Sequence, residues 1–451
     1  MSTPPPPPPA GPLASHPAPL ARQLSLADAV FIGLGSMIGA GVFAAFAPAA
    51  ASAGSALLVA LAIAAAVAFC NATSSAQLAA RYPTSGGTYI YGRELLGPWW
   101  GFAAGWSFVV GKTASSAAMA LTFAAYAVPT FWQKPTAMLA VIALTAIGYR
   151  GVTRTARVTR VIVVISLVTL AVVVAAGIAV VTSAPGDAAS ANPDLEAFQG
   201  VEPTVFGVLQ ASGILFFAFA GYARIATMGE EVRDPAKNIP RAIVLALALA
   251  IVVYAAVGVA LLSGLGAASL ATSATPLADL VQESGWQAAD PLVRFGAAAA
   301  ALGALLGLIA GISRTGLAMA RHGDLPGWLA AVHPRFATPY RAEVVLAAVV
   351  IMVILIADLR GAIAFSSFGV LLYYFVANLA ALRQPADDRR YPRIIAGLGL
   401  VLCAVLVVSL PVEGIVGGTI VVAVGLIGRG AILRLRPPRN RVGGADASGP
   451  Q

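Results

Sequence analysis

The sequence predicts an all-α membrane protein of twelve transmembrane helices. Ten form a five-plus-five inverted repeat with broken first and sixth helices, and two extra helices follow. Three observations lead there. Of 451 residues, 59% are hydrophobic and 10% charged, whereas a soluble domain carries about 25% charged residues. Apolar runs long enough to cross a bilayer recur along the chain. Two of them, the first and the sixth, are interrupted by glycine. Interrupted helices at corresponding places in two halves point to a transporter built on inverted repeats.

The spans are predicted near 27–47, 53–79, 97–129, 135–150, 158–182, 204–226, 241–266, 292–320, 342–358, 361–382, 392–409 and 412–433. Residues 23–183 thus hold helices 1–5, residues 184–383 hold helices 6–10, and residues 384–436 hold helices 11 and 12. The symmetry is read from layout, since no residue-level repeat is visible. Residues 1–22, with the run Pro4 to Pro9, are expected to be a disordered cytoplasmic tail, as are residues 437–451. The proline-rich segment lacks the basic stretch and apolar core of a cleavable signal. Cys70 and Cys403 both lie in apolar segments, which argues against a disulfide framework.

An even number of spans puts both termini on one side, and loop charge says which. The even-numbered loops hold Arg81 and Arg93; Arg150, Arg154, Arg157 and Arg160; Arg233, Lys237 and Arg241; Arg321, Arg335 and Arg341; and Arg383, Arg389, Arg390 and Arg393. The odd-numbered loops hold few basic residues, among them Lys134 and Arg360, together with acids such as Asp187, Asp194, Glu196 and Glu202. Both termini are therefore expected in the cytoplasm. The same rule accounts for the net charge of +9 without a nucleic-acid partner.

The first span contains Gly33, Gly35, Gly39 and Gly41. Each glycine costs a continuous helix roughly 1 kcal/mol relative to alanine. Unwound backbone at membrane depth is tolerated only against protein or a water-filled cavity. One reading is a broken helix whose bare amides meet a substrate carboxylate. The other is a close-packing face, because Gly35 and Gly39 have GxxxG-type spacing.

The third span begins at Trp99 and Trp100, and Lys112 follows Trp100 by twelve residues, roughly 18 Å of helix. With a hydrocarbon core about 30 Å thick, Lys112 falls near the midplane. A lysine there is tolerated when solvated, paired or neutral. Snorkelling is the alternative, but the stem is too short to reach either interface. The sixth span reads Phe216-Phe217-Ala218-Phe219-Ala220-Gly221-Tyr222-Ala223-Arg224, with Gly221 again interrupting an aromatic run.

Three motifs in order resemble those of the amino acid–polyamine–organocation permeases, and the resemblance covers about Leu24 to Arg436. The first runs from Gly35 to Phe43. The second runs from Phe216 to Tyr222 and continues from Glu230-Glu231-Val232 to Arg241. The third is Ser313-Arg314 followed by Ala318 to Pro326. The resemblance implies alternating access, with a substrate held between the two breaks. The binding residues would be Ser36, Met37, Ile38, Gly39, Ala40 and Gly41, facing Phe217, Ala218, Phe219, Ala220, Gly221 and Tyr222. Half-helix amides favour a carboxylate, and freed carbonyls receive an ammonium. An α-amino acid presents both. Phe217, Phe219 and Tyr222 would wall or gate the side-chain end, although aromatic runs in membrane helices also serve plain packing.

Two positions depart from the family's cationic members, which carry an acid on the third span and a lysine on the fifth. Here the third span has Gly111-Lys112, and the position matching the lysine is Ser166. Lys112 is expected to take over the coupling role, since burial disfavours a charged amine and makes proton release accessible. Sodium coupling is disfavoured, because Arg294 to Ile312 contains no Ser or Thr. The expected drive is a proton gradient, with no cofactor and no metal. Arg224, Glu230, Glu231 and Arg314 form a charged cytoplasmic gate or lock, although Arg224 and Arg314 also fit plain snorkelling or pairing.

No Asp or Glu lies at mid-membrane depth, so a cationic side chain would lack a counter-ion. The expected function is proton-coupled symport of neutral amino acids across a bacterial plasma membrane. The alternatives are exchange of acidic or cationic amino acids or polyamines, and, from another class, a channel or a non-transporting membrane subunit. No enzyme motif is present: His16, His322 and His333 fall in the tail or cytoplasmic loops. The expected partners are a small amino acid and the lipid bilayer, with monomer and homodimer left open.

Overall fold

A capping box starts the first helix, α1 (Leu26–Met37). The Ser25 hydroxyl accepts from the Asp28 amide at 3.2 Å, and the Asp28 carboxylate accepts from the Ser25 amide at 3.0 Å. Two donors that a helix start leaves free are thereby satisfied. The Asp28 carboxylate also pairs with Arg160. The computed structural model describes residues 24–83, 86–150, 156–183, 202–229, 231–336 and 338–435. Both expected tails, the Gly151-Val152 loop and Glu230 lie outside these residues.

The first span breaks as expected. α1 ends at Met37, Gly39 takes a non-helical conformation (φ −66°, ψ −140°), and α2 (Ala40–Ala44) restarts the helix. It runs through Ala45 into α3 (Phe46–Ala53), and Gly54 at φ +54° turns the chain toward α4 (Leu57–Arg81). After α5 (Thr88–Leu96) come α6 (Pro98–Ala127), α7 (Gln133–Tyr149) and α8 (Ala156–Ser183). The sixth span breaks too: α9 (Val205–Phe219) tightens into a single 3₁₀ turn at Ala220–Tyr222, followed by α10 (Ala223–Ala226).

The remaining helices are α11 (Pro235–Thr272), α12 (Pro276–Glu283), α13 (Asp290–Arg321), α14 (Tyr340–Ile356), α15 (Leu359–Arg383), α16 (Arg393–Ser409) and α17 (Val412–Leu435). The predicted end of the seventh span, residue 266, falls on Gly266, which kinks α11 at φ +72°. Among the described residues the extended pairing is one isolated parallel bridge, Leu24 with Val232. It ties the start of α1 to the segment after α10.

Nine helices among the described residues are long and apolar enough to cross a membrane. The predicted count of twelve differs at α7, α14 and α16, which have 17 residues each. That is roughly 25 Å of helix, against a hydrocarbon core of about 30 Å. Two elements were not predicted. α5 lies between the second and third predicted spans, and α12 packs Leu277, Leu280 and Val281 inward between the seventh and eighth. Outward-facing Ile420, Val424 and Ile427 on α17 are 57%, 61% and 71% exposed, an apolar surface that a membrane would cover.

The third span is central. α6 packs against both α13 and α15. Its crossing with α15 is set by Gly111, where an added Cβ would meet the Gly369 backbone at 3.1 Å. That contact fixes the height and rotation of the adjacent Lys112.

Candidate functional site

The two helix breaks cross in direct backbone contact, and glycine is what allows it. A Cβ added at Gly221 would lie 2.4 Å from the Ser36 carbonyl carbon, and one at Gly41 would lie 2.6 Å from Ala218 Cα. No side chain fits at either position, so each break carries a residue without one. The GxxxG alternative fails on partners. Gly35 meets Val163 on α8, whereas Gly39 meets Ala304 on α13, so the pair does not form one packing face.

Breaking a helix frees carbonyl oxygens that must find donors. Lys112 lies at the middle of the 30-residue α6, is 7% exposed, and its Nζ donates to the Ala220 oxygen at 3.1 Å. It does not snorkel. The Tyr254 hydroxyl lies 2.6 Å from the Met37 oxygen and 3.0 Å from the Ala218 oxygen, bridging the two breaks from α11. Tyr126 donates to the Phe43 oxygen at 3.1 Å. The carbonyls expected to receive a substrate ammonium are, at these positions, already served by protein donors.

A cavity of about 400 Å³ opens beside the crossing, within the range of small-molecule sites. Ser36, Lys112, Phe217, Ala220, Gly221 and Arg224 line it at the breaks, and it extends to Glu231, Arg314, Arg321 and His322. Glu231 and Arg314 pair at 3.4 Å with both side chains partly exposed. Such a pair is worth about 0–1 kcal/mol, which suits a contact that has to break and re-form. A second cavity of about 510 Å³, lined by Pro48, Lys134, Asp358 and Arg360, shares no residue with the first. Beside it the buried rings of Phe43 and Tyr126 pack edge to face at 6.0 Å.

Several expected site residues face elsewhere. Met37, Ile38, Gly39, Gly41 and Ala218 shape the crossing but do not line the cavity. Of the three aromatics, Phe217 alone lines it. Phe219 packs on Tyr254 at 4.9 Å and Tyr222 on Tyr374 at 5.1 Å, both fully buried. Helical periodicity explains the split, because residues two apart point to opposite sides of a helix. Ser166 is buried in α8, with its hydroxyl donating to the Ile162 oxygen at 2.8 Å, away from the cavity.

Other lining residues were missed. Phe108, Ser115 and Met119 line it on α6 with the expected Lys112, and Ala304, Leu308, Gly311 and Thr315 line it on α13. Their spacings of four, three and four residues mark one face of each helix, a signal available from the sequence once Lys112 is taken as the anchor. Tyr254 carried no such signal.

Glycine-broken helices crossing beside a cavity within the span define a membrane transport protein. Comparison with known proteins agrees. The chain belongs to the amino acid permease family, whose model matches residues 24–427, as the three motifs indicated. It is 54% identical over 414 residues to an uncharacterized transporter of Mycobacterium tuberculosis, covering 92% of each chain. It is 25% identical over 447 residues to the branched-chain amino acid permease BcaP of Bacillus subtilis, covering 90% of this chain and 92% of that one. It is also 28% identical over 387 residues to cationic amino acid transporter 7, chloroplastic, of Arabidopsis thaliana, covering 80% and 65% respectively.

Proposed function

We propose that this protein moves amino acids across a bacterial plasma membrane by alternating access, as a secondary active symporter driven by protons. In this reading the chain crosses the membrane twelve times, in two inverted five-helix repeats plus two helices, with both termini in the cytoplasm. The observation that carries it is the cavity at the crossing of the two breaks, which extends toward Glu231, Arg314 and Arg321. These residues lie at the basic, cytoplasmic end, so the arrangement corresponds to an inward-facing state. Phe43 and Tyr126 would close the opposite side.

Lys112 is the coupling group in this proposal. It is buried at mid-span on the cavity wall, and its ammonium holds the sixth-span turn. Sodium plays no part in this reading: the eighth span offers no Ser or Thr from Arg294 to Ile312, and Ser166 lies off the cavity. The substrates are amino acids without a cationic side chain, neutral ones being the class that the sequence favours. Glu231 is the one acid among the described lining residues, and Arg314 already pairs with it. A cationic substrate would therefore meet Lys112 and Arg224 without a free counter-charge.

The test is uptake by purified protein in proteoliposomes, in sodium-free buffer, with leucine, alanine, glutamate and arginine competing against a radiolabelled mixture. Saturable uptake enhanced by an inward proton gradient is the expected result. Arginine as the best competitor, or a requirement for sodium, would overturn the proposal. Absence of any saturable flux would favour a non-transporting subunit.

A further inference from the structure

The amino acid reading leaves the side-chain end of the substrate open, and the charges around the cavity address it. Arg224 is partly buried on the cavity wall, three residues past the sixth-span turn at Gly221. Among the described residues its guanidinium joins no ion pair and donates no hydrogen bond; Gly311 stands opposite, where an added Cβ would lie 3.5 Å from Nη1. Glu231 and Arg314, which pair with each other, line the same cavity and act on Arg224 through charge alone.

Resting on the amino acid reading, we infer that the preferred substrate is an acidic amino acid whose second carboxylate is held by Arg224. A guanidinium presents a planar fork of donors that matches a carboxylate, and a site on a half-buried wall strengthens that pairing. The acceptor side of the site points the same way. The Ala220 oxygen takes the Lys112 ammonium, and the Met37 and Ala218 oxygens take the Tyr254 hydroxyl. Protein groups thus bring positive charge and donors, and no unpaired acid among the described lining residues, to the wall that the substrate side chain would meet. A substrate with two carboxylates balances Lys112 and Arg224 together.

The second cavity carries the same bias independently. Lys134 and Arg360 line it against a single described acid, Asp358, whose carboxylate is engaged by the Gly361 amide at 2.8 Å. Cation-lined clefts raise the local concentration of anions, so both mouths favour a net-negative solute.

The test uses the full chain in proteoliposomes, with labelled glutamate and unlabelled aspartate, leucine, arginine or succinate as competitor. Aspartate should compete at least roughly tenfold better than leucine, the lower end of what a charge-assisted pair contributes. Arginine and succinate should compete poorly. Arg224→Gln should lower the glutamate-to-leucine uptake ratio by a similar factor, and Arg224→Lys should restore part of it. Should these variants fail to fold, the competition series on the unaltered chain decides alone. Leucine uptake with no response to glutamate or aspartate would overturn the inference while leaving the amino acid reading intact. Succinate competing as well as aspartate would also overturn it, because the α-amino group would then be unnecessary. No uptake or competition by any amino acid would remove the reading on which the inference rests.

Discussion

The Lys112 ammonium donates to the Ala220 carbonyl oxygen at 3.1 Å, closing the turn that interrupts the sixth span from 108 residues away in sequence. An ammonium there does two things at once: it neutralises a freed carbonyl and brings a titratable group to the cavity wall. Lys112→Met removes both. Uptake should be abolished, or should persist without any response to an inward proton gradient. Lys112→Arg is the sharper variant, because a guanidinium keeps the charge but cannot release its proton in a protein. Substrate binding measured by thermal stabilisation should survive in Lys112→Arg, while gradient-driven accumulation is lost. Normal gradient-driven uptake by Lys112→Met would remove Lys112 from the coupling mechanism.

The crossing of the breaks predicts a steep position dependence for alanine. At Gly221 the added methyl would sit 2.4 Å from the Ser36 carbonyl, a backbone neighbour with no rotamer to move. Gly221→Ala should therefore destabilise by at least the roughly 1–3 kcal/mol typical of overpacking, and Gly41→Ala should do the same against Ala218. Gly316 on α13 has nothing within 4 Å of such a methyl. Gly316→Ala should be neutral or stabilising by up to about 1 kcal/mol. Melting of the three variants in one detergent orders them. A Gly221→Ala protein as stable as Gly316→Ala would mean that the breaks do not pack as described.

These two predictions show what was legible in the chain. Lys112 was found because a lone charge inside an apolar run has no neutral explanation, and the breaks were found because glycine clusters weaken a helix locally. Both are short-range signals. The partner of Lys112 was not legible, since Ala220 offers only a backbone oxygen and every residue has one. Tyr254 was silent for a related reason: a tyrosine in a membrane helix reads as packing or as an interface anchor until its hydroxyl is seen between two breaks. Phe219 and Tyr222 erred the other way. They belong to an aromatic run that reads as one wall, yet successive turns of the helix send its members to different neighbours. α7, α14 and α16 were recognised as apolar segments of about the length found, 17 residues each, which is shorter than the roughly 20 residues of an untilted span.

Tyr254 supplies a prediction from outside the motif set. Its hydroxyl has one proton and two carbonyl oxygens within reach, Met37 at 2.6 Å and Ala218 at 3.0 Å. Tyr254→Phe keeps the ring that packs on Phe219 and removes the donor, leaving both buried oxygens poorer by one shared hydrogen bond. The expected loss is about 1–3 kcal/mol of stability, read as a lower melting temperature. Transport should fall further than stability alone accounts for, because the two breaks would no longer move as a pair. A variant that melts earlier but transports with unchanged kcat and KM would assign the hydroxyl a purely structural role.

The far end of the bundle is held by a buried charge cluster that reaches the last helix. The Asp324 carboxylate accepts from Tyr89 at 2.8 Å, from Arg93 at 3.1 Å and from Arg429 at 2.8 Å. Arg429 also lies over the rings of Trp99 and Phe102, at 4.8 Å and 4.9 Å from their centroids. One carboxylate thus ties α5 and α17 to the loop after α13. Asp324→Ala would leave two guanidinium groups facing each other, with Arg429 only 6% exposed. Losing one partner of a buried pair typically costs about 3–5 kcal/mol. Arg93→Ala removes the more exposed partner and should cost much less. Burial first, then the hydrogen bond to Asp324 and that carboxylate's charge, hold the Tyr89 hydroxyl well above the usual tyrosine range, in its neutral donating form. Because the folded state keeps that proton longer than the unfolded chain, this contribution to stability is complete at neutral pH. It should decline only above about pH 10, where unfolded tyrosine ionises. Melting curves of the unaltered chain and Tyr89→Phe between pH 8 and 11, a window spanning that about-10 value, check the sign. The unaltered chain should lose stability relative to Tyr89→Phe as pH rises, and a difference that stays flat or widens in its favour would contradict this account.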